Sequence, residues 1–156
     1  MTSEFTHLDD SGRAHMVDVG AKPVTKRRAV AEAVIMMSPD VKKSLFGGSL
    51  PKGDALAVTR VAAIMGAKQT PGLIPLCHPI GLDSVSVEIV ESDVGARIEV
   101  TCEVEARTGV EMEAMTGASV GALALYDMIK GLDRGAEVTA VRLLSKSGGR
   151  SGEWTR

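Results

Sequence analysis

Two neighbouring segments alternate apolar and polar residues with a period of two, and this pattern most constrains the fold. The first segment runs from Ser84 to Ile89 and the second from Arg97 to Val104. Such alternation predicts strands that bury one face, and it places Cys102 inward as a small hydrophobic residue. Because the connecting residues 92–95 favour a turn, we predict an antiparallel hairpin.

The longest helix is predicted over residues 109–130. Thr108 and Glu111 have the spacing of a capping box, and Gly131 lies where a left-handed residue would end the helix. Gly117 and Gly121 lie on one side of this helix. Since a glycine inside a helix is unfavourable by about 1 kcal/mol relative to alanine, we expect these two to permit close packing against a neighbouring element.

Shorter elements complete the pattern. A helix is predicted from an N-cap at Asp54 to about Lys68, where residues 70–72 end it, and a short helix is predicted from Pro39 to residues 47–48. Residues 137–146 are expected to form a strand. We expect the helix that begins after Asp54 to face the core with its large apolar residues, which are Val58, Val61, Ile64 and Met65.

Residues 27–37 are compatible with either a helix or a strand, because alanine and glutamate alternate there with β-branched residues. If they form a strand, the order is strand, helix, strand, strand, helix, strand. That order predicts an α+β, ferredoxin-like fold with an antiparallel sheet and helices packed on one face. We expect one domain over residues 1–156, with flexible ends at about 1–14 and 147–156.

Composition excludes several functional classes. Aromatic residues make up only 3% of the chain and the formal charge is −2, so binding to nucleic acid is not expected. The N-terminus does not resemble a signal peptide, and the apolar run at 114–126 is too short to cross a membrane. The two cysteines, without paired spacing, indicate a reducing, cytoplasmic setting.

Polar or charged residues at four places could take part in catalysis or ligand binding, although each also has a purely structural explanation. Lys52 precedes a helix N-terminus and could bind an anion or be a solvated lysine. Cys77 and His78 lie between two prolines in a stiff loop, where the histidine could bind a ligand or make a structural hydrogen bond.

The other two places are the ends of the long helix. Glu111 and Glu113 open it, where the helix dipole favours carboxylates, and Asp127 lies three residues before Lys130 near its end. Glu113 and Asp127 would be roughly 21 Å apart at about 1.5 Å per residue. A small substrate that touches both therefore needs a long pocket or a second subunit.

Several motifs together closely resemble the molybdenum-cofactor biosynthesis protein C (MoaC) family, the cyclic pyranopterin monophosphate synthases. The resemblance runs in order from about Thr6 to Gly152. The motifs that carry it are Ala14-His-Met-Val-Asp-Val19, Lys52-Gly-Asp54, Ile74-Pro-Leu-Cys-His-Pro79, Gly109-Val-Glu-Met-Glu-Ala-Met-Thr116, Tyr126-Asp-Met128 and Leu143-Leu-Ser-Lys-Ser-Gly-Gly149.

The resemblance implies a ferredoxin-like subunit and a hexamer built from three dimers, with the active site at the dimer interface. It implies an enzyme of molybdenum cofactor biosynthesis whose substrate is the cyclised GTP derivative 3',8-cyclo-7,8-dihydro-GTP. The product is cyclic pyranopterin monophosphate, and pyrophosphate is released. No redox cofactor or resident metal is expected, and magnesium accompanying the triphosphate is compatible with the reaction.

The resemblance also assigns roles to individual residues. It implies that Asp127 is the catalytic acid or base and that Lys52 and Lys130 assist proton transfer or stabilise charge. Lys22, Arg27 and Lys146 resemble cations that bind the triphosphate. The remaining residues are implied to bind the substrate: Leu76, Cys77, His78, Glu111, Met112 and Glu113.

Two other functions are compatible with parts of the sequence. A non-catalytic, oligomeric nucleotide-binding module would explain the cations, but Lys52, Asp127 and Lys130 occurring together argue against it. A metal-dependent hydrolase that uses His78 lacks further ligands, since the only other histidines are His7 and His15.

Overall fold

The computed structural model describes residues 8–9 and 11–156, so the expected flexibility of residues 1–14 falls partly outside the described chain. The described chain forms five strands and four helices. In chain order these elements are β1 (Thr25–Met36), α1 (Pro39–Phe46), α2 (Ala55–Lys68), α3 (Thr70–Leu73), β2 (Ser84–Ser92), β3 (Gly95–Ala106), α4 (Glu111–Ile129), β4 (Glu137–Ser147) and β5 (Trp154–Thr155).

The strands form one antiparallel sheet in the order β2-β3-β1-β4-β5. The predicted hairpin is confirmed, with Ser92 opposite Gly95 at its tip. Residues 27–37 adopt the strand alternative and form most of β1, at the centre of the sheet. The α+β, ferredoxin-like fold is therefore confirmed, with helices packed on one face of the sheet.

The helices α2 and α4 cross at very close range because small residues meet there. Gly121 lies against Ala63, and Gly117 lies against Ala63 and Ala67. A side chain at Gly66 would collide with Val120, since a Cβ atom there would lie 2.6 Å from the Cβ atom of Val120. The close-packing role predicted for the α4 glycines is confirmed. Consecutive contacts run in opposite directions along the two helices, so the start of α2 lies beside the end of α4.

The orientation predicted for α2 is wrong in most positions. Val58, Val61 and Met65 are 45%, 56% and 58% exposed, and Ile64 is only partly buried. The physical reason is the partner helix, because a glycine-rich surface at such close range accommodates small residues and excludes large ones. The buried side of α2 consists of Ala55, Thr59, Ala63, Gly66 and Ala67.

The ends of α4 also differ from the prediction. Val110 occupies the N-cap position of α4, and no side chain of the described residues makes a capping hydrogen bond at this helix, so the capping box is wrong. Gly131 does not adopt the left-handed conformation. The backbone amides of Leu132 and Asp133 donate to the carbonyl of Ile129 instead, at 2.8 and 3.0 Å, so right-handed turns end the helix. The N-cap at Asp54 is confirmed, since its carboxylate accepts a hydrogen bond from the amide of Ala57.

The C-terminal residues contribute an element that the sequence did not predict. Trp154 and Thr155 form β5, which pairs with the end of β4. The flexibility expected for residues 147–156 stays a prediction. None of the helices in the described part of the chain has the length and apolar character needed to cross a membrane.

Candidate active site

The first group of site residues, the lysine–aspartate cluster, consists of Lys52, Asp127 and Lys130. The amine of Lys130 lies 2.6 Å from one carboxylate oxygen of Asp127, and that of Lys52 lies 3.6 Å from the other. Lys52 also donates a 2.6 Å hydrogen bond to the backbone carbonyl of Asp127. The cluster forms because the antiparallel packing of α2 and α4 brings the loop before α2 to the end of α4.

Electrostatics hold this cluster in its ionised form. The hydrogen bond and charge of Lys130, and then the charge of Lys52, lower the pKa of Asp127. Asp127 in turn raises the pKa of Lys130. The cluster is exposed to solvent, with the side chain of Asp127 58% accessible. It therefore presents charged donors and an ionised acceptor to a ligand that approaches from outside.

The second group, the helix-start pocket, surrounds the first turn of α4. One wall is the loop after α3, where the amide of Cys77 donates to the carbonyl of Ile74 and the two prolines stiffen the backbone. The cavity has a volume of about 240 Å³. Its lining includes the predicted residues Leu76, Cys77, His78, Glu111, Met112 and Glu113, together with Lys22.

Glu113 is the unusual member of the helix-start pocket. Its residue is only 3% exposed, and burial raises the pKa of its carboxyl, with a smaller contribution from the charge of Glu111. Burial also raises the pKa of Cys77, while the pKa of Cys102 is raised to about 12. Both thiols therefore stay protonated at neutral pH, whereas Glu113 is a carboxyl group that holds its proton more tightly than an exposed one.

His78 is held by the N-terminal segment. Its Nε2 atom lies 2.8 Å from the carbonyl oxygen of Val17. A carbonyl can only accept, so Nε2 carries the proton and donates. This contact fixes the ring at the wall of the helix-start pocket and leaves Nδ1 for a ligand.

The third group, the cation pocket, adjoins the second. Its volume is about 570 Å³, and it shares Lys22, Thr108, Gly109 and Glu111 with the helix-start pocket. The predicted cations Lys22, Arg27 and Lys146 all line it. Three further arginines, which are Arg28, Arg107 and Arg150, line it as well. Such a concentration of positive charge suits a polyphosphate.

Within one chain, the predicted site residues are thus divided between the two ends of α4. The helix-start and cation pockets lie together at its N-terminal end, and the lysine–aspartate cluster lies at its C-terminal end. Asp127 lies fourteen positions after Glu113, which corresponds to about 21 Å of helix.

Arg107 is a site residue that the sequence analysis missed. It follows β3, and its Nε donates a 3.1 Å hydrogen bond to the carbonyl of Lys22, so it supports the wall of the cation pocket. The signal that could have revealed it is the sheet register. Ala106 pairs with Thr25, which places Arg107 at the same sheet edge as the basic start of β1.

The donor set offers little to a metal ion. Within residues 8–9 and 11–156, no group of three histidine, cysteine or acidic side chains lies close enough together to hold one. His78 has its fixed contact to a backbone carbonyl instead.

Comparison with known proteins identifies the family of this chain. Residues 16–149 match the model of the MoaC family. A cyclic pyranopterin monophosphate synthase of Corynebacterium glutamicum is 53% identical over 153 residues, which cover 98% of both chains. A protein of the same name from Streptomyces coelicolor is 50% identical over 152 residues, covering 97% of this chain and 89% of that one. One from a Roseiflexus species is 52% identical over 155 residues, covering 97% and 98%. This chain belongs to the MoaC family.

Proposed function

We propose that this chain is a cyclic pyranopterin monophosphate synthase of molybdenum cofactor biosynthesis. It converts 3',8-cyclo-7,8-dihydro-GTP into cyclic pyranopterin monophosphate and releases pyrophosphate. The observation that carries the proposal is the family membership, at about half identity over nearly the whole chain, combined with the lysine–aspartate cluster. The alternative of a non-catalytic nucleotide-binding module does not account for that cluster.

The cation pocket suits the phosphate part of this reaction. A cyclic monophosphate forms from a triphosphate when a hydroxyl oxygen attacks the α-phosphorus and the bond to the β-phosphate oxygen breaks. Negative charge then accumulates on the departing pyrophosphate. We propose that Lys22, Arg27 and Lys146, all of which line the cation pocket, bind the triphosphate and stabilise this charge.

The lysine–aspartate cluster suits the proton transfers. Ring opening and re-closure of a purine-derived skeleton require protons to be given and taken at fixed positions. Lys130 has a raised pKa and stays a donor, while Asp127 is ionised. A substrate that displaces one lysine removes part of the charge that lowers the pKa of Asp127, and the carboxylate then becomes a stronger base.

The helix-start pocket suits the ring system. Leu76, Cys77 and Met112 offer apolar and polarisable surface, and His78 and Glu113 offer hydrogen bonds. Because the carboxyl of Glu113 is buried, its hydrogen bonds to a heterocycle would be shielded from water. Glu111 lies between this pocket and the cation pocket, so we place it beside the sugar.

We further propose that two copies share each active site and that three such dimers form a hexamer. The separation of about 21 Å along α4 supports this, because one small substrate cannot bridge the two ends within one chain. The exposed apolar side of α2 supports it as well. This exposed side begins at Val58, one turn after the Asp54 cap, and continues through Val61 and Met65. Burial of this surface by a second copy would bring that copy's residues beside the cluster.

The experiment that tests the function is direct turnover. Purified protein is mixed with 3',8-cyclo-7,8-dihydro-GTP, and pyrophosphate and the pterin product are measured. We expect both products in equal amounts without an added redox cofactor, and a chelator arm tests whether magnesium accompanies the triphosphate. Tight binding without either product would favour the nucleotide-binding module. Light scattering coupled to size exclusion tests the assembly, and a fully active monomer would contradict the shared site.

A further inference from the structure

The end of the chain folds back onto the cation pocket. Residues 154–156, which we name the clasp, follow β4 in antiparallel pairing, with Trp154 opposite Lys146 and Thr155 opposite Ser145. The amide of Arg156 donates to the carbonyl of Leu144 at 2.9 Å. This pairing joins the last residues of the chain directly to a strand that supplies one of the pocket's cations.

The side chains of the clasp reinforce the pairing. The Nε atom of Arg156 donates a 2.8 Å hydrogen bond to the carbonyl of Leu143. Its guanidinium lies 5.8 Å from the centre of the Trp154 ring, within the range of a cation–π interaction. Two paired residues alone make a weak strand, so these side-chain contacts are what fasten the clasp.

Between β4 and the clasp lies the closing loop, which we define as residues 148–153. Its backbone rests on β1, because a Cβ atom on Gly148 would collide with the carbonyl of Lys26 and one on Gly149 with the guanidinium of Arg27. Both glycines also have left-handed φ values, of 93° and 76°. The loop therefore lies against the cation that we assign to the triphosphate.

The closing loop forms one wall of the cation pocket. Arg150 and Ser151 line the pocket, and the Ser151 hydroxyl accepts a hydrogen bond from the amine of Lys146. On the other side, Arg27 donates through Nε to the carbonyl of Ala106 at 3.4 Å. The loop thus holds Lys146 through Ser151 and confines Arg27 between Gly149 and Ala106, and the clasp holds the loop.

We infer that the clasp holds the closing loop over the triphosphate, with Arg150 as a further phosphate-binding cation and Trp154 and Arg156 as positioning residues. The inference rests on the proposed function and deepens it. The match to the MoaC family model ends at residue 149, so these three residues lie beyond it. A polyphosphate that binds only the closed loop must in turn stabilise the closed loop.

Two properties of the chain make this inference testable. Trp154 is the only tryptophan, so its fluorescence reports on the clasp. Arg150 is exposed in the closing loop and is a trypsin cleavage site. We expect inorganic triphosphate to change the fluorescence of Trp154 and to slow cleavage after Arg150 in the wild-type protein.

The variants are Arg150→Ala, Trp154→Ala and Arg156→Gln, with Arg134→Ala as a matched control at an exposed turn between α4 and β4. Calorimetry with inorganic triphosphate should show affinity weakened about tenfold or more by Arg150→Ala, as loss of a charge-assisted hydrogen bond implies. Trp154→Ala and Arg156→Gln should raise KM severalfold with kcat unchanged, because neither side chain touches the reacting atoms. Both should also speed cleavage after Arg150, and Arg134→Ala should do none of this.

Unchanged triphosphate affinity in Arg150→Ala, or wild-type KM and cleavage rate in both Trp154→Ala and Arg156→Gln, would overturn the inference. If Trp154→Ala fails to fold, Arg156→Gln alone decides, because its side chain is exposed at the chain end. The failure of the proposed function looks different. In that case triphosphate affinity falls in the variants as expected, but the wild-type protein does not turn over the cyclised GTP substrate.

Discussion

The two ends of α4 carry carboxyl groups that the fold treats in opposite ways. Asp127, near the C-terminal end, is exposed and paired with two lysines, which lower its pKa. Glu113, near the N-terminal end, is buried, and burial raises its pKa. The helix dipole alone would have favoured the reverse order, with the stronger acid at the N-terminus. Local pairing and burial therefore outweigh the dipole in this helix.

This contrast divides the chemistry between the ends of the helix. The exposed end offers fixed charges, which can act at once on an incoming polar group. The buried end offers a carboxyl whose pKa is raised by burial, so it ionises less readily than an exposed carboxyl does. Substitutions at one end leave the other in place, so they can break or sharpen this division, and substitutions at the crossing of α2 and α4 test the packing between the ends.

The largest effect is expected on catalysis at the exposed end. Lys52→Ala and Asp127→Asn should each lower kcat by about 10²–10⁴, the range that general acid–base catalysis supplies. Since the pair is exposed, the melting temperature should stay close to that of the wild type. Lys43→Ala, at an exposed position of α1, is the matched control and should keep full turnover. Wild-type turnover in a folded Asp127→Asn protein would refute the catalytic role.

The next effect concerns the close crossing of α2 and α4. Gly66→Ala places a methyl group against Val120 and should lower the free energy of unfolding by about 1–3 kcal/mol. Chemical denaturation measures this change. Relative to Val120→Gly alone, the double variant Gly66→Ala with Val120→Gly should lose less stability than this, because the colliding Cβ atom of Val120 is then absent. A single variant as stable as the wild type would show that the crossing is looser than described.

The success of the sequence analysis also differs between regions. Strand alternation predicted β2 and β3 because a sheet with one buried face requires it, and the α4 glycines predicted a close crossing. The prediction of which side of α2 is buried failed because both sides of the helix are apolar. Which side is buried depends on the partner helix. The glycine-rich side of α4 accommodates the alanines of α2 and excludes its valines.

The predictions for the site succeeded and failed for similar reasons. Motif residues on one element, such as Cys77 and His78, could be named from the sequence and do lie together with Glu113. Arg107 and the clasp could not, because their places depend on which residues face each other across strands. The pairing of Lys146 with Trp154 is such a register, and no local pattern reveals it.

A smaller effect is expected in the pH dependence of stability at the buried end. The folded-state pKa of Glu113 is raised above its usual 4.5, so the folded protein binds this proton more tightly than the unfolded chain does. The contribution of this proton to the free energy of unfolding is fully present below pH 4.5 and is lost as the pH rises through the raised pKa of Glu113. The glutamine side chain in Glu113→Gln cannot ionise, so this variant does not lose stability in this way as the pH rises.

The melting temperature of Glu113→Gln should therefore match the wild type in acid and exceed it by a few degrees at neutral pH. Thermal unfolding at a series of pH values measures the difference. Glu111→Gln is the matched control, since it removes only the smaller charge contribution to the raised pKa of Glu113 and should therefore show a weaker trend. A difference that is constant with pH would mean that ionisation of Glu113 is not the cause.

The smallest effect is a titration shift at the exposed end. Lys130→Ala should raise the pKa of Asp127 back toward 3.8, and Lys52→Ala should raise it less, since Lys130 is the larger cause of the lowering. Carbon-detected NMR of the aspartate carboxyl measures both. The reverse order would indicate that Lys52, rather than Lys130, is the dominant partner.

The central claim is that one active site uses the lysine–aspartate cluster of one copy and the helix-start pocket of another, and subunit complementation tests it most directly. Lys52→Ala and His78→Ala proteins, each inactive alone, are co-expressed so that mixed dimers form. Random pairing should restore about a quarter of wild-type activity, because half of the dimers are mixed and each has one intact site. Lys52→Ala with Asp127→Asn, which damage the same cluster, should restore none. Activity no greater than the sum of the two separate variants in the first mixture would contradict the account.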